Sequence, residues 1–234
     1  MSKSGNIERE QRILDAAAGL FVHYGYDKTP VSDIAREAGV SQGTIYLHFE
    51  SKDDLFEALL IRELRIFAET WFERIEADPM GGLIAGMYKN MLYALDSSAF
   101  MSAVYKQDRR IFGSYLRKPD NFFRKQPQST RHDFLKLMQD AGAIRQDIDL
   151  KVTAHIMNIL AFGMVGMDEI MDSENIPPID DLIEGIADLM DRALTPDDGG
   201  DSDAGKAILR QVFEAGRQSY EQTRKQEQES SDEQ

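Results

Sequence analysis

Between Gln42 and His48 the chain offers an amide, a hydroxyl, a phenol and an imidazole in the run Gln42-Gly43-Thr44-Ile45-Tyr46-Leu47-His48. In a helix, Ile45 and Phe49, four apart, point back into a core, which leaves Gln42, Thr44, Tyr46, Leu47 and His48 on the outward side. Donors and acceptors at an exposed helix start suit the base edges and phosphates of a DNA major groove. Lys52 follows at the start of the next helical pattern, where an ammonium beside open backbone N–H groups can meet a phosphate. The same spacing also fits a plain helix pair with a solvated polar face, and spacing alone leaves both readings open.

The elements that must position these side chains are short. Thr29 is a good N-cap, and Pro30 suits the first helical position, where its missing N–H costs nothing. A helix then runs to about Ala38 with Ile34, Ala35 and Ala38 on one face, and Gly39 stops it in the left-handed conformation. Val40 fills the gap and Ser41 caps the second helix. Upstream, Ile13, Leu14, Ala17, Leu20, Phe21 and Tyr24 recur at helical intervals from Asn6 to about Tyr24, with Gly25 as the stop. Their face covers Ile34 and Ile45 and completes a three-helix head, with Phe21 and Tyr24 expected in its core.

Ile34-Ala35, Ala38-Gly39-Val40-Ser41, Gly43-Thr44-Ile45-Tyr46, His48-Phe49 and Ser51-Lys52 together resemble the DNA-binding domain of the TetR (tetracycline-repressor-like) family. The resemblance spans roughly residues 13–60, about a fifth of the chain. It implies a homodimeric regulator whose Gln42–His48 helices enter successive major grooves of a near-palindromic operator. Thr29, Tyr46, His48 and Lys52 are then expected mainly on the DNA backbone, with Gln42, Thr44 and Ser32 reading bases and Gly43 and Leu47 in the same contact surface. Pro30 stands where the family often has a second Thr. Ser32 stands where some relatives carry a longer base-reading side chain, which leaves part of the readout missing or water-mediated.

Composition bounds the alternatives. The chain has 234 residues and no cysteine, so disulfides and thiolate sites are excluded. No apolar run is long enough to span a bilayer and the start MSKSGNIERE is polar, so a cytoplasmic protein without membrane association is expected. The net charge of −14 looks wrong for a DNA binder, but it is uneven: residues 1–52 carry 6 basic and 7 acidic groups, residues 137–234 carry 8 and 22. With no HExxH, no glycine-rich phosphate loop and no Gly-x-Ser-x-Gly elbow, no enzyme, metal site or cofactor is expected.

Beyond the head the patterns are all helical. Ser51, with Asp54 three residues on, caps a long helix through Leu55, Phe56, Leu59, Leu60, Leu64, Phe67, Trp71 and Phe72 to about Ala77, where Asp78-Pro79 ends it. At about 1.5 Å per residue it reaches a second core roughly 35 Å away. Further helices are expected over Met80–Leu95, Ser98 toward Phe112, Ser129 to about Ala141, Asp149–Met171, Pro178–Leu194 and Ala207 to about Gln226. Gly113–Pro127 reads as irregular, Pro196–Gly205 as a flexible acidic linker, and the last eight residues as disordered.

Ten of the eleven methionines lie at position 80 or later, mixed with aromatic residues. Such adaptable apolar material suits a small hydrophobic effector, or simply a helical core. The effector reading takes Phe67, Trp71, Met87, Tyr88, Met91, Tyr105, Phe134, Met138 and Phe162 as lining, with His155 and Asn158 as polar anchors or, equally, as a satisfied core or interface pair. Residues 101–136 form a basic island, 9 Lys/Arg against 3 acids, which reads as an anion site, a DNA-backbone contact or a solvated face. Ala154, Ala161, Gly163 and Gly166 among Ile156, Ile159, Leu160 and Val165, with Ile179, Leu182, Ile183, Ile186 and Met190, read as a dimer seam. The expectation is therefore an all-α protein: a DNA-binding head (1–51), a helical effector-binding and dimerisation domain (52–195), and an acidic linker with an accessory helix (196–234). An architectural DNA-binding protein without an effector is the alternative.

Overall fold

The computed structural model describes residues 3–125, 130–167 and 171–232, and among these no β-strand occurs. Helix α1 (Lys3–Tyr24) is followed by α2 (Val31–Glu37), α3 (Gln42–Tyr46) and α4 (Lys52–Ala77), close to the expected limits. Then come α5 (Ile84–Asp96), α6 (Ala99–Lys106), α7 (Arg109–Phe112), a 3-10 turn (Gly113–Arg117) and α8 (Phe122–Lys125). Helices α9 (Thr130–Asp140), α10 (Leu150–Gly166), α11 (Ile179–Leu194) and α12 (Ser202–Asp232) complete the chain.

The single helix expected from Ser98 toward Phe112 is two. Gln107 takes a left-handed φ of 48°, and Asp108 restarts the chain by accepting the Arg110 N–H at 2.8 Å. Tyr24, expected in the core, is exposed at the end of α1, where its ring lies edge-on to His23. Pro127 lies outside the described residues.

Two compact units emerge, residues 1–67, 95–128 and 165–170 in one, residues 68–94, 129–164 and 171–234 in the other, and α4 contributes residues to both. The unit holding the head is thus larger than residues 1–51. Ile13, Phe21, Ile34, Ile45, Phe49, Leu55, Phe56, Leu59, Phe100, Ile111, Phe112 and Tyr115 share one buried cluster. Phe56 is its hub, with ring centroids of Phe21, Tyr26, Phe112 and Tyr115 at 4.9, 5.1, 5.5 and 4.8 Å. A backbone bond from Tyr26 N–H to the Ile111 carbonyl (2.6 Å) ties the segment after α1 to α7.

In the other unit Ile84, Met87, Tyr88, Leu92, Leu135, Met138, Ile144, Met157, Ala161, Ile183 and Leu209 are buried. The last four residues of the expected linker, 202–205, are helical here. Ser202 donates its hydroxyl to the Pro79 carbonyl (2.8 Å) and accepts the Gly82 N–H (3.1 Å), which starts α12 earlier than expected. Gly205 crosses Gly82 so closely that a Cβ would fall 2.0 Å from the Gly82 oxygen. Arg210 pairs with Glu76 at 2.7 Å and Phe213 stacks on Phe72 at 4.5 Å, so α12 braces the last turns of α4. It continues to Asp232, past the expected Gln226 and into the stretch expected to be disordered.

Candidate nucleic-acid interface

Ser41 is extended (φ −74°, ψ 152°) and its Oγ accepts the Thr44 N–H at 3.1 Å, which caps α3 as expected. Ile45 and Phe49 are buried beneath. Ser41, Gln42, Gly43, Tyr46 and Leu47 are therefore turned to solvent, with Tyr46 49% and Leu47 86% exposed. Thr44 is half-buried and shares a hydrogen bond with Ser41 between hydroxyls 2.8 Å apart. His48 is half-buried, its ring tilted against Phe49 at 6.1 Å. Ser32 is exposed on α2. Of the nine residues expected to touch DNA, Ser32 on α2 and Gln42, Gly43, Tyr46 and Leu47 on or just after α3 are exposed, and Thr44 and His48 are half-buried.

Thr29 and Lys52 sit differently from the expectation. Pro30, not Thr29, occupies the cap position of α2, and the Thr29 side chain is buried. Its hydroxyl donates to the Gly25 carbonyl at 2.8 Å, so it fastens the end of α1 instead of facing a phosphate. The Lys52 ammonium donates to the Tyr26 carbonyl at 2.5 Å and lies 4.1 Å from the centre of the Tyr26 ring. Burial there holds its pKa below the ordinary lysine value.

Lys52 belongs to a polar knot that no short-range pattern announces. Tyr26 donates its hydroxyl to Asp53, and Lys118 pairs with the same carboxylate. Asp27 accepts the Ser114 N–H at 3.0 Å, and Tyr115 donates to Glu57 at 3.0 Å. Burial pushes the Tyr26 phenol up, and the adjacent Asp53 pushes it further. Burial would also raise Asp53, but hydrogen bonds from Lys118 and Tyr26 outweigh it and hold the carboxyl below its usual range. The partners stand 27, 65 and 87 positions apart, beyond any local motif.

The basic island does not form a single free patch. Lys118 is engaged with Asp53 and Arg110 with Asp108, while Arg109, Arg117 and Arg124 are exposed. The side chains of Lys125 and Arg131 lie outside the described residues.

The expected effector-lining residues separate. Met87, Tyr88, Met91 and Met138 are buried in the second unit, where Tyr88 donates to the Met157 carbonyl. Trp71, half-buried, donates to the Met87 carbonyl at 2.9 Å, and Phe134 is half-buried in the same unit. Phe67 and Tyr105 belong to the first unit. His155, Asn158 and Phe162 are exposed, because α10 turns Leu150, Thr153, Met157 and Ala161 inward and leaves the opposite face open. They are surface residues beside Val152, Ile156 and Ile159, not interior anchors. A polar cleft of about 460 Å³ lies elsewhere, lined by Pro79, Gly142, Asp198, Gly200, Asp201, Ser202 and Asp203, none of them among the expected lining residues.

A family model described as bacterial regulatory proteins, tetR family, matches residues 13–59. The Bacillus subtilis HTH-type transcriptional regulator YvkB is 30% identical over 162 residues, covering 65% of this chain and 79% of that protein. The HTH-type transcriptional repressor Rv1474c of Mycobacterium tuberculosis is 26% identical over 183 residues, 75% of this chain and 91% of the other. Among solved structures, Bacillus subtilis FadR in complex with stearoyl-CoA superposes with a TM-score of 0.57 at 21% identity, covering 77% of this chain and 96% of that one. At that identity the likeness is one of fold.

Proposed function

The chain belongs to the tetR family of bacterial regulatory proteins, and from that premise we propose that it is a homodimeric repressor whose paired α3 helices enter successive major grooves of a near-palindromic operator. The observation that carries this reading is the two-sidedness of α3: Ile45 and Phe49 are buried while Gln42, Gly43, Tyr46 and Leu47 face outward from a capped, rigid helix start. Tyr46 and His48 hold the backbone, and Gln42, Thr44 and Ser32 read bases. Thr29 and Lys52 act from inside, Thr29 by fastening the end of α1 and Lys52 by tying the start of α4 to Tyr26.

Dimerisation is supported by α10, where Val152, Ile156, Ile159 and Phe162 form an exposed apolar stripe at helical spacing, with Leu189 exposed on α11. Two such helices from each subunit would close a four-helix seam. An effector is supported by the relatives: FadR of Bacillus subtilis holds stearoyl-CoA, and the second unit here carries eight of the eleven methionines. A lipophilic or acyl-type effector there would act on DNA affinity through α4, which contributes residues to both units. A coupling of about 1–3 kcal/mol would change operator affinity roughly five- to a hundredfold.

Tyr46→Ala tests the reading. With duplexes enriched from a randomised library, the variant is expected to bind at least about tenfold more weakly across all sequences, as loss of a backbone contact requires. Undiminished affinity in a gel shift would overturn it.

A further inference from the structure

Leu47 is more exposed than any other large apolar side chain among the described residues; Leu189, at 67%, comes next. It is not a loose end. Its N–H bonds to the carbonyls of Gly43 (3.2 Å) and Thr44 (3.3 Å), and the residues on both sides of its turn, Ile45 and Phe49, are buried. The backbone therefore holds the isobutyl group outward, between the phenol of Tyr46 and the imidazole of His48. An apolar group fixed in the middle of a polar contact row has few matches on a duplex. In the major groove every base presents hydrogen-bonding atoms, and thymine alone adds a C5-methyl group.

We propose that Leu47 selects thymine at one position of each operator half-site by packing against that methyl group. The inference rests on α3 being the helix that enters the groove. Against thymine, Leu47 and the methyl exclude water from each other. Against a purine edge Leu47 covers donors or acceptors that it cannot satisfy, and against cytosine it meets only a C5–H beside the N4 amino group, so thymine alone returns the full apolar contact.

Thymine replaced by deoxyuridine loses only the methyl group, which gives a direct test. The intact protein is used to enrich duplexes from a randomised library, and each thymine of the enriched half-site is then replaced by deoxyuridine in turn. At one position the wild type is expected to lose roughly three- to tenfold in affinity, while Leu47→Ala binds the thymine and deoxyuridine duplexes equally and Leu47→Met keeps the difference. The inference is overturned if no thymine shows a methyl dependence, or if Leu47→Ala retains it. Circular dichroism of both variants separates loss of folding from loss of contact, and the methionine variant carries the test if alanine does not fold. Failure to enrich any sequence would remove the proposed function as well, whereas specific binding without methyl dependence removes this inference alone.

Discussion

Replacing Phe56 by alanine is expected to loosen the head and the α6–α7 segment together. The ring is fully buried, and four aromatic partners lie within 5.5 Å of its centroid. A buried Phe→Ala change costs about 3–5 kcal/mol with the lost neighbours included, and four aromatic contacts put Phe56 in the upper half of that range, about 4–5 kcal/mol. At about 1.4 kcal/mol per decade, the open population rises roughly a thousandfold. Because Phe21 comes from α1 and Phe112 from α7, both segments should feel the same cavity. Native-state hydrogen exchange reads this directly: amides of residues 13–21 and 100–112 are expected to lose protection in parallel, by about three decades if opening is global for this unit. Ile7→Ala, at an exposed position, should change protection by less than about 0.5 kcal/mol and serves as the control. If residues 13–21 lose protection while residues 100–112 keep it, the shared-core reasoning is wrong and the head is an independent domain.

Two left-handed glycines should respond differently to alanine. Gly39 (φ 65°) faces open space and its substitution should cost about 1–2 kcal/mol, whereas at Gly25 (φ 82°) a Cβ would fall 2.2 Å from the Arg110 oxygen and the cost should exceed about 3 kcal/mol, as urea unfolding would measure. Ile159→Glu places a carboxylate in the exposed α10 stripe; sedimentation should find a monomer with unchanged helix content, and a persistent dimer would move the seam elsewhere. Lys52→Met should lower affinity without altering the dependence of log K on log salt, whereas neutralising a lysine that touches phosphate lowers the slope by about 1 per contact.

The head was legible because its signals are local. Ser41 and Gly39 sit at the positions where helices start and stop, and the Ile45/Phe49 spacing fixes the inward face without reference to the rest of the chain. The bounds of α4 follow in the same way from the Ser51–Asp54 cap and the Asp78-Pro79 break. Local signals misled where a distant partner competed. Thr29 has the chemistry of a cap, yet Pro30 occupies that position and the hydroxyl turns back to the Gly25 carbonyl. Lys52 looked like a phosphate ligand until Tyr26, 26 residues away, supplied a carbonyl and a ring face. Periodicity could not say which face of α10 points inward, since its isoleucines, His155 and Phe162 make one stripe and Thr153, Met157 and Ala161 another. That choice depends on tertiary packing, and it moved His155, Asn158 and Phe162 from a supposed pocket to the surface.

The same partition resolves the conflict between a charge of −14 and a DNA-binding head. The unit that carries the head holds 15 basic against 16 acidic residues, and the other unit 12 against 25, so nearly all the excess acid belongs to the second. Even within the first, several cations are already matched: Arg62 by Asp15 and Glu63, Lys118 by Asp53, Arg110 by Asp108, Arg36 by Asp33. A head that is near neutral and internally paired has little diffuse attraction to phosphate, and each contact it does make contributes only about 0.9 to the salt slope. On the proposed function, affinity for arbitrary duplex would then be low, and the difference between an operator and other DNA would come from short-range fit on α3. For such a protein an apolar discriminator of the kind proposed for Leu47 would matter more than another lysine, because it would add selectivity without adding attraction to every sequence alike.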